Sequence, residues 1–273
     1  MKSAQILQAT LEEKYKQLLQ YDKREIDNPD LHDNVRVNYW NRLNLIISTV
    51  QKYFKNPGNV QIGDFACAQG NASLLLAELG YIVFAIDINE SFISYAKHKY
   101  EKGQITWIVS NIEELDLPKE SLDMAIAGEL VEHCAHPDEI LSKIMSFLRP
   151  GGLLIITTPN GSSLKNNRPT FSQFSKKSSR KSLENRQFGP DGEDHLFLFT
   201  AEELPMIVPQ NSVIIESGYD GGTFLINKYS RHFFKLLPIA YMEQSVRFLS
   251  RVPLVNQWTY HNIYAVIQKQ FSE

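Results

Sequence analysis

Val60-Gln61-Ile62-Gly63-Asp64-Phe65-Ala66-Cys67-Ala68-Gln69-Gly70 runs into Asn71–Leu79, is stopped by Gly80, and resumes as Ile82–Asp87. The apolar stretch Val60–Phe65 reads as a buried strand and Ala66–Gly70 as a small-residue turn. Asn71–Leu79 then reads as a helix, and Ile82–Ile86 as a second strand ending on an acid. A strand–turn–helix–strand unit of this kind aims backbone N–H groups at the carboxyl end of a parallel sheet, where a nucleotide-like ligand can approach the main chain. Asp87 stands about twenty residues after the turn, where a carboxylate can accept from both hydroxyls of a ribose.

The bulk composition sets bounds on this reading. A chain of 273 residues can bury a sizeable core, so one α/β domain with insertions is expected. With 28 Lys and Arg against 31 Asp and Glu, no global charge argues for nucleic acid or an anionic membrane. Cys67 and Cys134 both fall inside core segments, which fits reduced thiols better than a disulfide framework. The first residues lack the apolar run of a signal peptide and no stretch suits a bilayer span, so a cytoplasmic protein is expected.

Residues 1–54 form an N-terminal helical segment. Ile6, Leu7, Leu11, Tyr15, Leu18 and Leu19 give helical spacing over 4–21, residues 21–34 read as a loop, and Val35–Phe54 as a second amphipathic helix. Tyr15, Tyr39 and Trp40 read as core. After Asp87 the chain continues as helix Ser91–Tyr100, strand Ile105–Val109, strand Leu122–Ala127, helix Asp138–Leu148 and strand Leu153–Thr158. Strands Ser212–Ser217 and Thr259–Gln268 close the pattern.

Asp64-Phe65-Ala66-Cys67-Ala68-Gln69-Gly70, Asp87, Asn111-Ile112-Glu113-Glu114, Gly128-Glu129 and Arg149-Pro150-Gly151-Gly152 occur in an order and spacing that resembles the class I S-adenosylmethionine-dependent methyltransferases. The resemblance is close over about residues 55–160. It implies an α/β, Rossmann-like, doubly wound sheet of seven mostly parallel strands with the last antiparallel, within a domain spanning 55–273. It also implies S-adenosylmethionine as cofactor, with contacts from Asp64, Ala66, Gly70, Asp87, Ile88, Asn111, Ile112 and Gly128. In such families the N-terminal helices often lie over the cofactor as a lid; packing on a sheet edge is the alternative. The family turn carries glycines where this chain has Ala66 and Ala68. A Cβ disfavours positive φ and close ligand approach, so a slightly shifted cofactor contact is expected.

Glu129-Leu130-Val131-Glu132-His133 follows the fourth strand and is expected to open a helix, whose i, i+3 and i+4 positions share one face. Asp191–Thr200 could return His195 to the same point. Two carboxylates and two imidazoles suit Mg²⁺ or Mn²⁺. E-x-x-E-H, Thr158-Pro159-Asn160 and the later Asp194-His195 resemble the Hen-type small-RNA 2′-O-methyltransferases and the quinone-biosynthesis O-methyltransferases. By that resemblance Glu129, Glu132, His133 and His195 are metal ligands that hold two adjacent acceptor oxygens. Without a metal, His133 or His195 would serve as the catalytic base. His136 is expected to be structural.

Two insertions, at about 160–194 and 219–257, fall at the carboxyl end of the sheet and are expected to select substrate. Lys165, Arg168, Lys176, Lys177, Arg180, Lys181 and Arg186 make the first basic, and Phe171 and Phe174 interleave in a way that permits base stacking. Residues 231–257 are aromatic and apolar: a cap over the acceptor, a homodimer surface or a peripheral membrane contact. The expected activity is O-methylation of a small molecule or glycan with adjacent hydroxyls. The alternatives are RNA 2′-O-methylation and non-catalytic binding of S-adenosylmethionine.

Overall fold

The structure is a computed structural model that describes residues 1–8, 11–31, 33–164, 166–174, 176, 180–187, 195–223, 241, 244, 248 and 255–271. Lys165, Lys177, Asp191–Asp194 and nearly all of the 231–254 stretch lie outside the described residues.

Seven strands form one sheet in the order β3-β2-β1-β4-β5-β7-β6. They are β1 (Gln61–Phe65), β2 (Ile82–Asp87), β3 (Gln104–Val109), β4 (Leu122–Gly128), β5 (Leu148–Pro159), β6 (Ser212–Thr223) and β7 (Tyr260–Lys269). The first five run parallel, and β7 runs antiparallel to both β5 and β6. This is the doubly wound, Rossmann-like sheet expected from the sequence. Ile62, Val83, Met124, Ile126 and Ile155 cover one face of β1, β2, β4 and β5, and Phe65, Ile86, Ala125, Leu154 and Ile156 the other, as a parallel sheet requires. Strand order reverses between β1 and β4, which places a crevice at their carboxyl ends.

The N-terminal segment is broken where one helix over 4–21 was expected. Its parts are α1 (Ala4–Gln8), a 3₁₀ turn at Glu13–Tyr15 and α2 (Lys16–Glu25). A straight helix would set Leu7 and Leu18 about 16 Å apart along its axis. The break instead gathers Leu7, Tyr15, Leu18 and Leu19 on one patch around Tyr95. α3 (Asn34–Tyr53) begins where the Asp33 carboxylate accepts from the amides of Val35 and Arg36, a conventional N-cap. It lies along the sheet and reaches β6, where Tyr53 and Lys52 meet Glu216.

α4 (Asn71–Glu78), α5 (Glu90–Lys99) and α6 (Pro137–Phe147) complete the wound layers. The basic insertion is less free than its composition suggests. Phe171 is 2% exposed and packs against Phe197 and Phe199, and Phe174 packs against Phe197. Both therefore serve the core rather than a base-stacking surface. Arg180 is buried against Asp138, 3.1 Å away.

Candidate active site

The turn after β1 keeps a glycine-like path in spite of its alanines. Ala66 has φ 58° and Ala68 φ 46°, and Gly70 follows at φ 70° as the N-cap of α4. Left-handed φ is thus retained at both alanines, at a cost of about 1–2 kcal/mol per alanine. At Gly70 a Cβ would lie 2.9 Å from Cβ of Ala96, so this position needs glycine twice over. Asp87, at the tip of β2, accepts from the Ala68 amide through Oδ2 and from the Asn89 amide through Oδ1, both at 2.8 Å. It therefore anchors the turn, and each oxygen retains a second lone pair for a ligand hydroxyl. Asp64 is 4% exposed, accepts from Ser73 Oγ at 2.5 Å, and is pushed up to about 6 by burial.

The other expected cofactor contacts cluster at the same edge. Ile88 is 52% exposed directly after Asp87, an apolar side chain left uncovered beside the crevice. Asn111 is turned onto its own backbone, with Oδ1 accepting from the Glu113 amide, while the Ile112 side chain is buried. Gly128 ends β4 in register with Thr157.

Glu129-Leu130-Val131-Glu132-His133 does not open a helix. Glu129 has φ 54°, and only a 3₁₀ turn forms at Val131–His133. The left-handed step splits the two acids. Glu132 turns inward and is wholly buried, with Oε2 accepting from Thr158 Oγ1 at 2.9 Å. Ligand atoms of Glu132, His133 and His195 lie within 4.8 Å of one another, and the two imidazoles meet edge to face at 4.8 Å. Glu129 points the other way, accepting from Thr157 Oγ1 at 3.1 Å and pairing with Arg42 Nη1 at 3.1 Å.

His195 arrives because the Leu196 amide donates to the Glu132 carbonyl and Arg168 donates to the His195 carbonyl. His136 pairs with Glu184 instead, outside the group, as expected. The three-residue group fits a divalent cation. Glu132 Oε1 is buried without a hydrogen-bond partner among the described residues, an arrangement costly for a carboxylate unless a cation or proton compensates it. Burial, then the charge of Glu129, pushes the Glu132 carboxyl well above its usual range.

Arg42 is the member that sequence reading missed, because one arginine in an amphipathic helix reads as solvated surface. Burial disfavours its charge, but Glu129, Tyr39 and Glu25 outweigh that and raise its pKa. Tyr39 also exceeds its expected packing role: its ring lies under the Arg42 guanidinium, and its hydroxyl accepts from Asn71 Nδ2 at 2.7 Å. A cavity of about 270 Å³ opens beside them. A larger cleft of about 530 Å³ at Asn56–Val60, Asp123 and Arg149 lies at the amino ends of β1 and β4, remote from this chemistry.

Residues 63–156 match the family model described as a methyltransferase domain. The chain is 26% identical, over 45% of its length and 46% of the relative's, to a probable S-adenosylmethionine-dependent methyltransferase of Mycolicibacterium smegmatis. It is 28% identical, over 51% of its length and 62% of the relative's, to a ubiquinone biosynthesis O-methyltransferase of Rickettsia felis. The match thus spans about half to two thirds of these curated relatives. An S-adenosylmethionine-dependent methyltransferase from Methanosarcina mazei shares the fold, with 19% identity, a TM-score of 0.51, and coverage of 82% of this chain and 98% of that one.

Proposed function

We propose that this chain, whose residues 63–156 match a methyltransferase domain, is an S-adenosylmethionine-dependent methyltransferase of class I that methylates an oxygen of a small molecule or glycan with adjacent hydroxyls. The observation that carries the oxygen assignment is the convergence of Glu132, His133 and His195 at one point, beside the tip of β4. The ubiquinone-biosynthesis relatives support the same reading.

The donor's ribose would rest on Asp87, with Ala66–Gly70 giving the close backbone approach and Ile88 covering the base. Asn111 and Ile112 border the same end. The reactive methyl would then face the β4 tip at Gly128. Methyl transfer from a sulfonium needs the acceptor oxygen held in line and deprotonated. Glu132, His133 and His195 would hold Mg²⁺ or Mn²⁺, which when bound lowers the pKa of an acceptor hydroxyl. Arg42 holds Glu129 outside that group in the structure; a fourth ligand position for Glu129 requires this pair to open. Without the ion, His133 or His195 would instead take the acceptor proton as general base. Phe171 is buried and Phe174 is partly buried against Phe197, which weakens the stacking argument for an RNA acceptor.

The test is calorimetry with S-adenosylhomocysteine, followed by methyl transfer to a panel of catechols and vicinal diols with and without chelator. The reading requires donor-product binding, turnover on at least one such acceptor, and its loss in Glu132→Gln. Turnover indifferent to chelator and to Glu132→Gln sinks the metal assignment; absent donor-product binding sinks the whole reading.

A further inference from the structure

Glu129 and Glu132 both follow β4, yet only Glu132 shares a point with His133 and His195. The left-handed φ of 54° at Glu129 sends its side chain elsewhere, and there both carboxylate oxygens are engaged. Oε1 accepts from Thr157 Oγ1 and Oε2 pairs with Arg42 Nη1, each at 3.1 Å. The Glu129 amide also donates to the Thr157 carbonyl at 2.8 Å, which ties its main chain to the same residue of β5. Glu132 is the reverse case. Its Oε2 accepts from Thr158 Oγ1, while its buried Oε1 has no hydrogen-bond partner among the described residues.

Arg42 is itself fixed in place. Its guanidinium lies over the Tyr39 ring, 5.1 Å from the centroid, and the Tyr39 hydroxyl accepts from Asn71 Nδ2. Asn71 in turn bonds Asp22 and Lys99. A guanidinium that is stacked on a ring and paired with a carboxylate is held by shape as well as by charge. Arg42 thus competes with any ion for Glu129, from a seat anchored in α2, α3, α4 and α5.

A site of two imidazoles and one carboxylate differs from one with a second carboxylate in charge and in hardness. A divalent ion beside one carboxylate keeps a net positive charge, which two would cancel, and so keeps its pull on an acceptor hydroxyl. Fewer hard oxygen ligands also alter the choice of ion. Mg²⁺ favours carboxylates, carbonyls and water, whereas imidazole suits first-row transition ions.

Resting on the metal-assisted methyltransferase reading above, we infer that Arg42 is a positioning residue that withholds Glu129 from the ion. Glu132, His133 and His195 alone are then the protein ligands, and the site takes Mn²⁺ or a later first-row ion in preference to Mg²⁺. The arginine sets which ion is held, and how much positive charge it keeps, without touching ion or acceptor.

The test titrates Mn²⁺ into the metal-free full chain, with free ion read from its electron paramagnetic resonance signal. Glu129→Gln should hold Mn²⁺ within about threefold of wild type, whereas Glu132→Gln should weaken it by about tenfold or more. Arg42→Met should tighten Mn²⁺ by about tenfold, because the released carboxylate adds ligand charge. That gain should vanish when Arg42→Met is combined with Glu129→Gln. Arg42→Lys, which keeps a cation beside Glu129, should stay nearer to wild type than Arg42→Met. Mg²⁺ in about hundredfold excess should leave most of the Mn²⁺ on the wild type. Urea unfolding reports that each variant is folded; if Arg42→Met is not, the comparison of Glu129→Gln with Glu132→Gln decides.

A loss in Glu129→Gln as large as in Glu132→Gln overturns the inference by making Glu129 a ligand. So does a folded Arg42→Met with no gain, or a gain that persists without Glu129 and so reflects only a removed positive charge. Displacement of Mn²⁺ by Mg²⁺ overturns the ion preference. A wild type that takes no Mn²⁺ overturns the metal assignment itself. None of these titrations contains the donor, so calorimetry with S-adenosylhomocysteine tests the methyltransferase reading separately.

Discussion

Burial between β1 and α4 pushes the Asp64 carboxyl up to about 6, with Ser73 opposing and Asp87 adding to the effect. Between the usual carboxylate range and about pH 6, the folded state holds a proton that the unfolded state has released. Stability then falls as pH rises through that window and levels off above it. Asp64→Asn lacks this slope. Measured by urea unfolding, the wild type should lose up to about 3 kcal/mol relative to the variant between about pH 4 and pH 7. At Ala68, φ 46° implies strain that glycine would release. Ala68→Gly should be neutral or stabilising by up to about 1 kcal/mol, against the usual loss for such a change. Gly70→Ala should destabilise, because its Cβ meets Ala96 and Trp107; urea midpoints report both.

The acids and imidazoles were legible as residues, since Glu132, His133 and His195 do converge. Their geometry was not. The helical-face argument for Glu129 failed at one backbone angle that no side-chain pattern encodes. The alanines at 66 and 68 misled in the opposite sense, because tertiary bonds such as Asp87 to the Ala68 amide hold a path that local preference resists.

Four helices meet in one buried polar knot. Lys99 on α5 pairs with Asp22 on α2 at 2.9 Å. Asp22 also accepts from Tyr95 at 2.7 Å and from Asn71, the first residue of α4, while Asn71 in turn bonds Tyr39 on α3. Lys99 is 1% exposed and Asp22 3%. Burial lowers the Lys99 pKa, against the opposing pull of Asp22. Removing one charge strands the other, so Lys99→Met should cost about 3–5 kcal/mol in urea unfolding. Asp22→Asn combined with Lys99→Met should recover most of that loss, the coupling being read from the double-mutant cycle. Elements of strong period were readable in place and type; helix ends moved by a residue, whereas β5 starts five residues earlier and β6 ends six residues later than expected. The break between α1 and α2 was not, because its cause is Tyr95, a partner some eighty positions away in sequence.

At the scale of the molecule, the mostly parallel seven-stranded sheet and its antiparallel last strand were implied by the resemblance that the five ordered blocks carry, whereas the strand order comes from the structure. No helix among the described residues is long and apolar enough to cross a membrane. If the divalent-ion assignment holds, Mn²⁺ at about a hundred times its dissociation constant should stabilise the wild type by about 2.7 kcal/mol. Glu132→Gln should show far less, and thermal unfolding with and without Mn²⁺ distinguishes them.

β6 and β7 leave and re-enter the sheet side by side, with Thr223 opposite Tyr260. Whatever chain joins them, its two ends are already stitched together, so its length is a matter of small entropy: cutting a thirty-residue connection to a handful changes closure by on the order of 1–2 kcal/mol. Such a junction behaves as a socket. Replacing residues 224–254 with a short Gly/Ser linker should therefore leave a folded protein that still takes S-adenosylhomocysteine, as calorimetry would show.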